Sequence, residues 1–116
     1  MIGASDYMEY VEPVRNELRK LIAAGKVTYY KDLGDKFNKP ARWPGWKAIL
    51  DEIARDKPDM SIIVLRTEGW QGQVGGEATD GRPTEKQKQY AQAELTRVFT
   101  AYSGGKAVPK LPIKRR

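Results

Sequence analysis

Glycine and proline punctuate the middle of this chain so closely that few folds can accommodate it. Gly25 ends one helical stretch, and the segment GKVTYYKDLG runs from it to Gly34. Pro40 closes a second short helix and Pro44 opens a third, because proline lacks an N–H donor and suits only a first helical turn. Pro58 then ends the helical region. One helix ends at Gly25, a short helix follows it, and a third helix opens at Pro44.

The apolar pattern agrees with that punctuation. Pro13 fits the first turn of a helix whose stripe is Val14, Leu18, Leu21 and Ile22, with Gly25 at its C′ position. Residues 26–28 are β-prone, and Thr28 is a plausible N-cap for the helix over 29–37, with Tyr30, Leu33 and Phe37 on one face. The helix from Pro44 to about Asp56 carries Trp46, Ile49, Leu50 and Ile53 towards the core. Residues 60–66 read as a largely buried strand, and residues 70–74 as its return across a Gly-rich turn. Thr84 and Gln87 form a capping box that opens a last helix to about Tyr102, with Ala91, Leu95, Val98, Phe99 and Tyr102 along one apolar face.

Helix, short strand, helix, helix, strand, wing, strand is the order of a winged helix-turn-helix. The expectation is an α+β fold, a winged helix-turn-helix-like domain with an extra C-terminal helix. Residues 1–12 form an N-terminal arm, 13–104 the domain, and 105–116 a basic disordered tail.

Composition narrows the chemistry. The 116 residues include no Cys and no His. That removes thiolate catalysis, cysteine-based zinc sites and the commonest general base, so no catalytic residues, cofactor or metal are expected. A carboxylate site near Glu77 and Asp80 has no supporting motif. No apolar run nears the roughly 20 residues of a membrane span, and the N-terminus lacks a signal-peptide h-region. The expectation is an intracellular, cytoplasmic, soluble protein with no membrane partner. Net charge is +6, but its location matters more. Without the five basic residues of 106–116, 16 of the 21 Lys and Arg face 15 Asp and Glu, so the body is nearly neutral. A basic tail adds non-specific phosphate affinity.

The residues GKVTYYKDLG followed by NKP resemble the opening of the DNA-binding domain of alkylguanine-DNA alkyltransferases and alkyltransferase-like proteins. Gly25, Val27, Tyr30 and Leu33 fall on that family's pattern, with Tyr29 at its Ser position and Gly34 at its Ala. The resemblance covers about residues 25–76. The family's Pro-Cys-His-Arg motif is absent, so alkyl transfer is excluded. Arg42 falls two residues before the family's arginine finger, whose position is held by Pro44. Only Tyr30 carries over, as a residue that the resemblance places against a nucleotide phosphate.

These readings make non-enzymatic DNA binding the leading expectation. Its candidate contacts are Tyr29, Tyr30, Lys31, Lys39, Arg42, Trp43 and Lys47 around the two central helices, and Arg66, Gln71, Gln73 and Arg82 near the wing. Tyr30 and Trp46 equally suit core positions, whereas Trp43, preceding Pro44, reads as the more exposed tryptophan; Trp70 at the wing suits surface and core alike. Against sequence reading of DNA, the third helix carries Asp51, Glu52 and Asp56 against Lys47 and Arg55. The alternative is a protein-interaction module, an inhibitor or adaptor of a nucleic-acid-processing protein, using the same surface.

Overall fold

The computed structural model describes residues 7–116. In chain order they form α1 (Val11–Ala23), β1 (Thr28–Tyr29), α2 (Tyr30–Phe37), α3 (Gly45–Ile53), a 3-10 turn (Met60–Ile63), β2 (Val64–Leu65), β3 (Gln73–Val74), β4 (Glu77–Ala78) and α4 (Glu85–Tyr102). The result is a small α+β domain with two two-stranded sheets. None of the described helices is long and apolar enough to cross a membrane.

Helix α1 buries Val11, Val14, Leu18 and Ile22, the 3.6-residue stripe of the sequence. Two bonds close its C-terminus, Gly25 N–H to Ile22 O at 2.9 Å and Lys26 N–H to Leu21 O at 2.9 Å, the Schellman pattern. Helix α1 begins two residues before Pro13, so Val11 and Glu12 belong to the domain and not to an arm. Of the remaining arm, residues 1–6 lie outside the described residues, and Tyr7 and Tyr10 pack on Trp43.

Helix α2 stops where Asn38 adopts φ 58°, and Lys39 N–H returns to Gly34 O at 2.8 Å. That turn requires glycine at 34, because a Cβ there would stand 2.4 Å from Lys39 O. Trp46 on α3 is 2 % exposed, and its indole N–H donates to Pro40 O at 3.0 Å. One side chain thus fills the core and fixes how the α2–α3 turn sits. Thr28 does not cap α2; it is buried in β1, and Tyr29 takes the N-cap position.

The strand expected over 60–66 is shorter. Met60–Ile63 coil into a 3-10 turn, leaving only Val64 and Leu65 extended. The cause is Asp59, whose carboxylate accepts from Ser61 N–H at 2.8 Å and from the Ser61 hydroxyl. Met60, Ile62, Ile63, Val64 and Leu65 are buried in either geometry, so periodicity alone could not separate turn from strand. Strand β2 pairs in parallel with β1, Thr28 opposite Val64 and Tyr29 opposite Leu65. The return over 70–74 is likewise reduced, to a Leu65–Gln71 bridge followed by the β3–β4 hairpin.

Helix α4 starts with the expected capping box, Thr84 and Gln87 exchanging bonds of 2.8 and 3.1 Å. Its apolar face closes the core with Ala91, Leu95, Val98 and Phe99, each 0 % exposed.

Residues 106–116 correct the expectation of a disordered tail. Leu111 is buried, and Gln92 clamps the backbone on either side of it, donating to Pro109 O at 3.1 Å and accepting from Leu111 N–H at 2.9 Å. Val108, Leu111 and Ile113 alternate with the basic residues, and that apolar set suffices to seat the segment on the body.

Since Trp46 serves both core and turn, Trp46→Ala should destabilise the fold by about 3–5 kcal/mol, with Trp46→Phe losing less. Urea denaturation followed by circular dichroism measures both.

Candidate nucleic-acid interface

The parallel β1–β2 pair decides where the site lies. Because Tyr29 stands opposite Leu65, the next residue of each strand, Tyr30 and Arg66, emerges on the same side. Tyr30 and Lys31 open α2, Arg42 comes from the α2–α3 turn, and Arg66, Thr67 and Glu68 follow β2. Together with Ala41 and Gly72 they line one open cleft of ≈ 590 Å³.

Within the cleft the Tyr30 ring lies against Gly72, where a Cβ would come within 3.0 Å of the phenol oxygen. Burial pushes the Tyr30 pKa up to about 12, outweighing the opposing pull of Arg66. The hydroxyl is therefore a neutral hydrogen-bond donor at physiological pH. Arg66 Nε pairs with Glu68 Oε1 at 2.8 Å. Lys31 and Arg42 are exposed and have no carboxylate partner among the described residues. Three cations and two hydroxyls, those of Tyr30 and Thr67, line the cleft with a single acid. That set can hold an oxyanion: the arginine forks suit phosphate, and the phenol adds a neutral donor. Within the cleft Thr67 Oγ1 donates to Glu68 Oε2 at 3.2 Å, and among the described residues no three His, Cys, Asp or Glu side chains converge as metal ligands.

The other candidate residues go elsewhere. The Tyr29 hydroxyl donates to Ile113 O at 2.6 Å, which withdraws it from solvent ligands. Burial, followed by Asp32, raises its pKa. Lys39 Nζ rests over the rings of Trp43 at 4.8 Å and Tyr10 at 5.3 Å. Trp43 itself is half-buried, edge-on to Tyr7, Tyr10 and Trp46 with centroids 5.3, 5.3 and 5.4 Å away. Lys47 pairs with Asp51 Oδ2 at 2.8 Å, and Gln73 Nε2 donates to Asp51 Oδ1 at 2.5 Å. Gln71 is a correction: it is 1 % exposed and donates to Ile62 O at 2.8 Å, because its bridge to Leu65 turns it inward. Its Oε1 is buried without a hydrogen-bond partner among the described residues. Arg82 is exposed but outside the cleft lining, and Trp70 is half-buried beneath Lys88 Nζ at 5.4 Å.

Sequence reasoning missed Ala41, Thr67, Glu68 and Gly72 as cleft residues. Glu68-Gly69 signalled a turn, and nothing local placed that turn opposite α2.

A spectrophotometric titration of the six tyrosines should show one phenolate transition near pH 12, absent from Tyr30→Phe. Loss of an earlier transition instead would place the Tyr30 hydroxyl in water.

No family model matches this chain, and no curated protein or solved structure matches it.

Proposed function

We propose that this chain is a non-enzymatic nucleic-acid-binding domain that docks a phosphate backbone in the cleft of Tyr30, Lys31, Arg42 and Arg66. The observation that supports it most is the meeting of those four residues, from three separate segments, in one open cleft. A backbone phosphodiester spreads one negative charge over two non-bridging oxygens that accept hydrogen bonds, and two guanidiniums, an ammonium and a phenol can donate to them. We read α2, its turn and α3 as a helix-turn-helix pair and the β3–β4 hairpin as a short wing.

On this reading α3 does not read bases in a major groove. Its Asp51 faces Lys47 and Gln73, so that surface is internally paired. Binding is then driven by phosphate contacts and is insensitive to sequence. The protein-interaction alternative has less support, because Trp43, the tryptophan of that surface, is enclosed by its own aromatic neighbours.

Fluorescence anisotropy with labelled duplex and single-stranded DNA tests the proposal. Three cations predict a slope of log K against log salt of about −2 to −3. Arg42→Ala and Arg66→Ala should each reduce the slope by about 1 on every sequence, whereas Lys47→Ala leaves it unchanged. Binding indifferent to Arg42 and Arg66 would remove the cleft from the mechanism.

A further inference from the structure

A phosphate cleft works only if its walls keep their separation. One wall is the start of α2, the other the turn after β2, and the strands beneath them share just two residue pairs. A single segment touches both walls. Ile113 N–H donates to Gly69 O at 3.1 Å and Arg115 N–H to Thr67 O at 3.0 Å, an antiparallel step against the turn. On the α2 side, Ile113 O accepts from Tyr29, and the Arg115 guanidinium forks onto Asp32, with Nη2 2.8 Å from Oδ1 and Nε 3.1 Å from Oδ2. The turn is shaped to receive this segment. Gly69 has φ +101°, and a Cβ there would stand 2.7 Å from Ile113 N and 2.8 Å from Ile113 C.

We propose that residues 113–115 are a clasp that sets the width of the cleft, and that Tyr29 and Asp32 are positioning residues acting through it. The inference rests on the phosphate-cleft reading for its function and on the contacts above for its geometry. It explains an acid on the rim of a basic face: Asp32 anchors the clasp, and its hydrogen bond from Arg115 holds its pKa below the ordinary carboxylate value. It also assigns the C-terminal segment a role apart from its charge, since Lys114 and Arg116 remain exposed beside the anchored Arg115.

Two measurements on the full chain test it. The first is amide hydrogen exchange by NMR. Ile113 and Arg115 amides should be protected in the wild type and exchange about tenfold faster in Asp32→Asn and Tyr29→Phe. Unprotected wild-type amides would overturn the clasp whatever the ligand. The second is the DNA titration with Asp32→Asn. Losing one acid makes the chain more positive, so electrostatics alone predicts tighter binding. The clasp predicts binding about fivefold weaker, the effect of losing one charge-assisted anchor. Equal or tighter binding by Asp32→Asn would overturn the positioning role. If the wild type binds no DNA, the phosphate reading fails separately, and the Tyr30 ring signals decide the clasp: they shift in Asp32→Asn if the walls part, and unchanged signals refute it.

Discussion

The parallel pairing of Thr28 with Val64 and Tyr29 with Leu65 is the contact on which the rest depends. It joins segments far apart in the chain and needs only two residues from each. Those few hydrogen bonds are a small part of the stability. Most comes from the buried stripes of α1, α3 and α4 that pack around the Met60–Leu65 run. The pairing instead contributes register. A one-residue slip would turn Leu65 outward and separate Tyr30 from Arg66, costing core and cleft together.

The distribution of charge follows the same logic. Several bases are already engaged: Lys47 with Asp51, Arg15 with Asp56, Arg115 with Asp32, and Lys39 with two aromatic rings. The exposed i,i+4 pair of Lys47 with Asp51 contributes little to stability. Lys31 and Arg42 of the cleft stand outside these pairs. A body that is nearly neutral in sum still gathers Lys31, Arg42 and Arg66 around one cleft, which net charge could not reveal.

The helices were legible in the sequence because their signals are local. Thr84 and Gln87 cap α4 within one turn of chain, and the stripe of Val14, Leu18 and Ile22 repeats at the helical period. The Met60–Leu65 run was not legible in detail, since a fully buried apolar stretch has no contrast by which to tell a 3-10 turn from a strand. Of the candidate contacts, Tyr30, Lys31, Arg42 and Arg66 meet, whereas Gln71 is buried and Tyr29 is bonded to the C-terminal segment. Polar residues in a Gly-rich hairpin look alike until a bridge such as Leu65–Gln71 decides which face each one takes.

The sequence by itself determined the helical segments, the capping box of α4, the apolar residues of the core, and the absence of thiol and imidazole chemistry, because each depends on residue type or on neighbours a few positions away. Only the tertiary structure decided that Arg66 stands beside Tyr30, that Asp32 holds Arg115, and that residues 106–116 fold onto the body. Those outcomes depend on strand register and on which buried surfaces meet across long sequence separations, and no local pattern encodes either.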